Sequence, residues 1–375
     1  MSRIDKLLQE LCPEGVARRP LGSLGKRNKG TAITASKMKT LGSRGPIRVF
    51  AGGQTVADVA EDAIPPKDVV RVPSIIVKSR GHIGFTYYDR PFTHKSELWS
   101  YSINESEVDQ KFVYYYLLTQ VEKLQSLARA TSVKLPQLSV KDTDNLQIPV
   151  PPTEVQREIV RVLDGFTELE AELEAELEAR HRQYDHYRTE ALEFDDTIDR
   201  VSLADLAVIG TGSHDTKDAV VDGEYVFYAR GREPLRLDSF DFNENAIITA
   251  GDGVGVGKVF HFASGQYALH QRAYRIVPNS RVDARYLYHY LIADFGRYLE
   301  RTSVHASVTS LRRPMFLKYQ VAVPALERQH RIAAELDKFD KLVNDPEVGL
   351  PAELAARRKQ YKYYRDKLLT FKEAV

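Results

Sequence analysis

The chain has 375 residues, and its 53 Lys and Arg against 52 Asp and Glu give a net charge of +1, so two or three packed domains are expected. The single cysteine, Cys12, excludes a disulfide framework and a cysteine-based zinc site, and is typical of a reducing compartment. Because no segment reaches roughly 18 consecutive apolar residues and the N-terminus lacks the apolar core of a signal peptide, we expect a soluble, cytoplasmic protein with no membrane partner.

Charge is distributed unevenly along the chain. Residues 1–149 contain 22 Lys and Arg against 15 Asp and Glu, a net charge of +7, whereas residues 150–198 contain 5 against 14, a net charge of −9. Residues 199–322 and 323–375 are close to neutral, with 15 against 14 and 11 against 9. This pattern suggests a surface that faces a polyanion, joined to a spacer that faces protein. The alternative is scatter among solvated charges.

The first 149 residues predict a compact sheet and helices. Runs of β-branched and aromatic residues, bounded by Gly, Pro and Asn, predict strands at residues 74–77, 83–88 and 98–102. Asp109 lies where a helix N-cap is expected, before core positions that include Phe112 and Tyr116. A Thr-Ser-Val loop at residues 131–133 and a further strand lead to Pro151.

A long helix is predicted from about Thr153 to Asp195. Its apolar positions recur every three or four residues, as in a helix that packs on another helix, and comprise Ile159, Leu163, Phe166, Leu169, Leu173, Leu177, Tyr184 and Tyr187. Within this stripe a Leu-Glu-Ala-Glu tetrad recurs nearly unchanged over residues 169–180. Leu, Glu and Ala favour helix, and each copy adds about 6 Å of length.

Residues 199–322 repeat the plan of the first domain. Strands are predicted at residues 224–228, 246–249, 259–262 and 273–277, and Asp283 is placed as the N-cap of the next helix. A second Thr-Ser-Val loop follows at residues 302–304. A second long helix begins after Pro324, but the Pro- and Gly-containing segment 346–351 interrupts it, so we expect a helix, a turn and a helix that resumes at Leu354.

The chain is therefore a tandem duplication. Seven positions of the first helical region recur in register 173 residues later: Pro151, Glu154, Gln156, Ile159, Leu163, Asp164 and Phe166 match Pro324, Glu327, Gln329, Ile332, Leu336, Asp337 and Phe339. Further on, Gln183-Tyr184 recurs as Gln360-Tyr361 at an offset of 177. A length difference of four residues thus lies within the helical regions.

These motifs resemble the specificity subunits of type I restriction-modification systems, over nearly the whole chain. The resemblance rests on the duplicated helical regions, the Pro-Pro-Thr-Glu-Val-Gln-Arg-Glu-Ile-Val segment at residues 151–160, the Tyr-Tyr-Arg-Asp-Lys-Leu-Leu segment at 363–369 and the Leu-Cys-Pro-Glu-Gly segment at 11–15. It implies an α+β fold in which two target-recognition domains, each with a small β-sheet and helices, are joined by two long antiparallel coiled-coil helices with pseudo-twofold symmetry. The recognition domains would be residues 1–149 and 199–322, and the helical regions residues 150–198 and 323–375.

The resemblance also implies a function. The chain would be a non-catalytic subunit that binds a bipartite target in double-stranded DNA and positions two methyltransferase subunits and motor-nuclease restriction subunits. It would hold no cofactor or metal, since S-adenosylmethionine and ATP would be bound by those partners. In some family members the copy number of a short helix repeat sets the distance between the two half-sites; here the spacer repeat would begin at Leu169, Leu173 and Leu177. In the second helical region, residues 346–351 stand where a matching repeat would be expected. The sequence therefore does not decide which of the two helices sets the distance between the half-sites.

DNA recognition requires cations for phosphates and amide, imidazole or guanidinium groups for base edges. The candidates of the first domain are Lys26, Arg27, Lys29, Arg44, Lys78, Arg80 and Lys134, with Gln54 and Tyr87 as base contacts. Those of the second domain are Lys217, Arg230, Arg232, Lys258, Arg312 and Arg313, with His214 and Gln271 as polar base contacts. The segment from Lys78 to Gly81 lies between two predicted strands, where a loop can enter a groove.

Two other functions remain open on the sequence. A fused methyltransferase would use the Gly-Val-Gly-Val-Gly run at residues 253–257 as a cofactor loop, although this run lies between predicted strands rather than before a helix. A coiled-coil scaffold would use the acidic repeat helix to bind proteins and would bind no DNA.

Overall fold

A computed structural model describes residues 3–40, 44–53, 55–130, 134–302 and 312–374. The chain divides into two compact units. Unit 1 comprises Met1–Glu172 and Ala355–Val375, and unit 2 comprises Leu173–Leu354. Each unit therefore combines one duplicated sheet-and-helix domain with part of both helical regions.

Unit 1 contains two larger sheets and a strand pair in its described part. Its elements are α1 (Arg3–Leu11), β1 (Arg18–Pro20), β2 (Gly25–Lys29), α2 (Ala35–Thr40), β3 (Ile47–Phe50), β4 (Val56–Val59), β5 (Ser74–Lys78), β6 (Gly84–Tyr88), β7 (Phe92–His94), β8 (Trp99–Ile103), α3 (Gln110–Thr119), α4 (Val121–Ala130), α5 (Val140–Asp144), β9 (Gln147–Pro149) and α6 (Thr153–Ala191), which continues into unit 2. The sheets have the orders β2-β8-β5-β6, β4-β3-β7 and β1-β9, and only β3 and β7 pair in parallel there.

Unit 2 has the same plan in the residues described for it. Its elements are β10 (Arg200–Ser202), α7 (Leu203–Leu206), β11 (Ala207–Thr211), β12 (Tyr225–Tyr228), β13 (Leu235–Leu237), β14 (Phe242–Asn243), β15 (Ala246–Ala250), β16 (Phe260–Ala263), β17 (Gln266–Leu269), β18 (Ala273–Pro278), α8 (Ala284–Thr302), α9 (Arg313–Lys318), β19 (Gln320–Ala322), α10 (Leu326–Asn344) and α11 (Leu350–Leu368), which continues into unit 1. The sheets have the orders β11-β18-β15-β16, β13-β12-β17-β14 and β10-β19, and β12 pairs with β17 in parallel.

The α+β fold is confirmed, and the strands predicted from sequence are present as β5, β6, β8, β12, β15, β16 and β18. The expectation of one sheet per domain was wrong, since a second sheet forms in each unit. These second sheets depend on the parallel pairs β3-β7 and β12-β17, whose strands are about 40 residues apart in the chain. No local sequence pattern signals such a pairing.

The duplication extends to individual hydrogen bonds. In unit 1 the buried Gln156 amide donates to the carbonyl oxygens of Pro151 (2.6 Å) and Glu107 (2.8 Å), and its Oε1 accepts from the Asp109 N–H (2.8 Å). In unit 2 the buried Gln329 makes the equivalent three bonds, to the Pro324 and Arg281 carbonyls and from the Asp283 N–H. Each glutamine therefore joins the start of a long helix to the start of an earlier helix of the same unit, α3 or α8.

A charged pair repeats beside this junction. Asp164 on α6 accepts from Lys111 Nζ on α3 (2.7 Å), and its counterpart Asp337 on α10 accepts from Arg285 Nε on α8 (2.8 Å). Asp337 also lies 2.6 Å from Nε2 of the fully buried His289. Desolvation opposes ionisation there, but the bonds to His289 and Arg285 outweigh it and lower the pKa of the Asp337 carboxyl.

The long helices pair antiparallel within each unit. Residues further along α6 contact residues earlier in the partner helix, as antiparallel pairing requires. In unit 1 Phe166 contacts Tyr364 and Glu170 contacts Arg358; in unit 2 Tyr184 contacts Asp340 and Tyr187 contacts Glu335. In unit 1 the partner is α11, and in unit 2 it is α10. The predicted helix, turn and helix are thus α10, residues 345–349 and α11.

Three details of the helices differ from expectation. Helix α6 ends at Ala191 rather than near Asp195, because the following Leu192 and Phe194 enter the core of unit 2. Helix α11 resumes at Leu350, four residues early, since a proline in the first turn needs no hydrogen-bonded N–H. Leu169 of the apolar stripe is 52% exposed, and the adjacent Glu170 binds Arg358 of α11. In the ranges described, no helix has both the length and the apolar character of a membrane span.

Candidate nucleic-acid interface

A basic cleft of about 820 Å³ opens on unit 1. We define the basic cleft by its five cationic lining residues, Lys26, Arg27, Lys29, Lys67 and Arg71. Its other walls carry the Asn28, Asn104 and Gln110 amides, several apolar side chains and one carboxylate, that of Asp68, which accepts a hydrogen bond from Thr31 (3.0 Å). A concave, cationic and hydrogen-bonding surface of this kind is suited to a phosphate backbone.

Strand β2 positions the first three cations because it is the edge of its sheet. The buried Asn28 amide donates to Ser100 Oγ (3.2 Å) and Ser102 Oγ (2.7 Å) of β8, which fixes the strand at the cleft floor. Lys26 and Lys29 are exposed, and neither forms an ion pair with a residue that the structure describes. The edge therefore presents two cationic side chains to solvent.

Of the other three cations of the cleft, two arginines are partly neutralised, whereas Lys67 is exposed and forms no ion pair with a described residue. Arg27 binds Asp144 at 2.7 Å and Arg71 binds Glu61 at 2.6 Å, both at exposed or half-buried positions. The sequence analysis did not identify Lys67 and Arg71 as candidates. They lie in the turn before β5 and reach the cleft only through tertiary packing beside β2, for which the sequence carries no signal.

The remaining candidates of unit 1 do not line the basic cleft. The backbone of Arg80 pairs with that of Gln137 in an isolated β-bridge. The turn after Arg80 is held by the Gln125 side chain, which accepts from the Ile83 N–H (2.8 Å) and donates to the Gly81 carbonyl (3.1 Å). Lys78 is half-buried at the end of β5, whereas Arg44 and Lys134 are exposed. Gln54 lies outside the described residues, as do residues 131–133 and most of the second Thr-Ser-Val loop.

The Tyr87 ring packs against helix α3. It lies 5.9 Å from the Tyr114 ring and 5.7 Å from Lys111 Nζ. Burial raises the pKa of the Tyr87 hydroxyl. The structure therefore places this candidate base contact against helix α3.

Unit 2 carries a different charged cluster. Asp252 accepts from Arg230 (2.7 Å) and Arg272 (3.2 Å), in a depression of about 370 Å³ beside the glycine-rich loop. Desolvation opposes ionisation of Asp252, but these two guanidinium groups hold the pKa of its carboxyl below the ordinary value. The sequence analysis missed Arg272, because no sequence pattern indicates that it shares the Asp252 carboxylate with Arg230.

The other candidates of unit 2 are dispersed. His214 Nε2 lies 3.1 Å from Asp241, and Gln271 donates to Asp215 at 3.1 Å, so both polar side chains have carboxylate partners. Lys217, Arg232 and Lys258 are exposed, while Arg312 is the N-cap of α9 and Arg313 its first residue. Strand β11, the edge strand equivalent to β2, contains no charged residue. The two units therefore share a scaffold but not a charged surface.

Neither unit shows a metal or nucleotide site in its described residues. No group of three or more His, Cys, Asp or Glu side chains is placed there to hold a metal ion. The run at residues 253–257 connects the antiparallel strands β15 and β16, whereas a phosphate-binding glycine loop leads into a helix N-terminus.

Comparisons with known proteins agree with this architecture. The pattern of the type I restriction modification DNA specificity domain matches residues 13–179 and 196–356. The EcoR124I/EcoR124II type I restriction enzyme specificity subunit of Escherichia coli is 27% identical, covering 99% of this chain and 97% of its own. The crystal structure of the type I restriction-modification S subunit from M. genitalium superimposes with a TM-score of 0.60 at 17% identity, covering 94% of this chain and 95% of its own.

A second solved structure shares the fold. It comes from work on complex assembly and conformational transition of the type I R-M system, with a TM-score of 0.58 at 14% identity, covering 95% of this chain and 97% of its own. The chain belongs to the family of type I restriction-modification DNA specificity proteins. Its role is that of the sequence-specific DNA-recognition subunit of such a system.

Proposed function

We propose that each unit of the chain binds one half of a bipartite double-stranded DNA target. The observation that carries this proposal is the duplicated domain, with identical glutamine junctions but different surface charges. Two copies of one scaffold that differ in their exposed side chains can bind two different half-sites.

The chain is proposed to have no catalytic role of its own. Two methyltransferase subunits, and motor-nuclease subunits for restriction, would supply the chemistry and bind S-adenosylmethionine and ATP. The relation to a restriction enzyme specificity subunit and to a chain from an R-M assembly supports such partners. Binding of S-adenosylmethionine by the isolated chain would contradict this division of labour and favour the fused methyltransferase.

The basic cleft is proposed to bind DNA phosphates of the first half-site. Lys26, Lys29 and Lys67 are its cations without an ion pair among the described residues, and Asn28 orders the strand between the first two. Phosphate contacts contribute affinity in every sequence context but carry no base identity. The cleft should therefore set affinity and salt dependence rather than sequence preference.

A double substitution of the cleft lysines tests this role. In the assembled complex, Lys26→Ala with Lys29→Ala should reduce the slope of log affinity against log salt by about 2, because each lost phosphate contact removes roughly 0.9. The recognised sequence should not change. Lys6→Ala, an exposed lysine on α1, is the matched control.

Two results would contradict the assignment. An unchanged salt slope in the double variant would remove the cleft from the DNA interface. No DNA binding by the unaltered complex at any salt concentration would instead favour the coiled-coil scaffold.

A further inference from the structure

One loop of unit 2 presents an apolar side chain to solvent. The loop spans residues 251–259 between β15 and β16, and Val254 at its tip is 97% exposed. Gly253 before it has a φ of 81°, a conformation that favours glycine. The tip is therefore directed outward by a glycine turn.

The loop is held firmly on both sides of this tip. The Gly251 N–H donates to the Arg272 carbonyl (2.8 Å), and the Val259 N–H donates to the Gly255 carbonyl (2.9 Å). Val256 is only 6% exposed and belongs to the main core of unit 2. At Gly255 a Cβ would lie 2.7 Å from the Arg230 carbonyl oxygen, so the loop and the segment after β12 approach each other too closely for a side chain. Val254 is thus preorganised in its exposed position.

Cationic groups surround the base of the loop. Asp252, two residues before the tip, holds the guanidinium groups of Arg230 and Arg272, and Lys258 is exposed four residues after it. The depressions that Val254 lines also contain the carboxylates of Glu233 and Glu300 and the guanidinium group of Arg297, so four cations and three carboxylates lie around the loop and leave a small positive excess. A polyanion approaching this face would meet the cations and the isopropyl group together.

We propose that Val254 contacts the methyl group of a thymine in the second half-site, while Arg230 and Arg272 bind adjacent phosphates. An aliphatic side chain offers no hydrogen bond, and the thymine methyl is the apolar feature of the major groove. Contact with it removes exposed apolar surface from water on both sides. This inference rests on the proposed function, since it assigns one base position within that target.

Val221 provides a matched comparison. It is 91% exposed in the same unit, but its neighbours in the chain include Asp222 and Glu224, both exposed. Acidic side chains disfavour an approach of DNA. Val221 and Val254 therefore separate the effect of exposure from the effect of the cationic surroundings.

The test measures methylation by the assembled methyltransferase complex on a library of duplexes randomised at each motif position. For Val254→Ser we expect the preference for thymine at one position of the second half-site to fall about tenfold, the usual order for one lost apolar group. All other positions should keep their preferences. Val221→Ser should match the unaltered protein, and neither substitution should change thermal stability, because both side chains lie in solvent.

The outcomes are distinct. Unchanged preferences at every position for Val254→Ser would overturn the inference and leave the proposed function intact. Loss of methylation on all duplexes, with the complex assembled, would also overturn a role confined to one base. Absence of any two-part motif for the unaltered complex would overturn the proposed function itself.

Discussion

At the residue scale, Gln156 and Gln329 make equivalent hydrogen bonds that join a long helix to an earlier helix in each unit. A buried amide is stable only when its donors and acceptor are satisfied, and Gln156 and Gln329 each bind one carbonyl five residues before them and one carbonyl and one N–H that lie 46 to 49 residues earlier in the chain. The sequence marks both positions as repeated. It does not show why, because their partners are main-chain groups whose position depends on the whole fold.

Truncation of one of these amides should destabilise its unit. Gln329→Ala leaves the Asp283 N–H and two carbonyl oxygens without partners in a buried site, which should lower the free energy of unfolding by about 2 kcal/mol. Urea unfolding followed by circular dichroism measures the change. The control is Gln183→Ala, at an exposed position of α6, which should stay within about 0.5 kcal/mol of the unaltered protein. Equal stabilities of the two variants would show that the Gln329 bonds contribute little.

The charged candidates mark the limit of sequence reasoning at this scale. A sequence identifies Arg27 and Arg230 as cations but not the carboxylates that bind them, Asp144 and Asp252. Lys26 and Lys29 were predicted and do line the cleft, since an edge strand exposes its side chains. Their roles in DNA binding stay predictions.

At the scale of elements, prediction succeeded where the signal is local. Strands β5 and β15 are β-branched runs, the Asp109 N-cap accepts from the Lys111 and Phe112 N–H groups, and the prolines after α10 mark a real turn. The pairs β3-β7 and β12-β17 were missed because their strands are short and three or four other strands lie between them in the chain. Local propensity carries no information on such contacts.

Helix α6 is the element whose length matters most for function. Its tetrad repeat spans residues 169–180, and the division between the two units falls within it, between Glu172 and Leu173. Leu173 and Leu177 are half-buried, whereas Leu169 and the neighbouring Glu side chains are mostly exposed. Among the described residues, few tertiary contacts of this part of α6 would therefore be lost if the helix were shortened or lengthened.

Deletion of Leu173 to Glu176 should change the gap between the half-sites and nothing else. It removes one tetrad and about 6 Å of helix, while Leu177 continues the pattern. Methylation mapping should return both half-sites unchanged with a different spacer. Glu176→Gln, which keeps the length, should retain the original gap. An altered half-site, or an unaltered gap, would show that α6 does not act as the spacer.

At the scale of the whole molecule, one scaffold is used twice with different surfaces. Residues 1–149 have a net charge of +7, and the equivalent residues 199–322 a net charge of +1. The basic edge strand β2 has an uncharged counterpart in β11. Because the exposed side chains differ while the glutamine junctions do not, we expect the two half-sites to differ in sequence.

The most direct test of the central claim is modified-base sequencing of a methylation-free host that expresses this chain with its methyltransferase, against a host that lacks this chain. The account predicts a new methylated motif in two unlike parts, separated by a gap of fixed length and present only with this chain. A methyltransferase that modifies the same sites without the chain, or an assembled complex that produces no two-part motif, would contradict it.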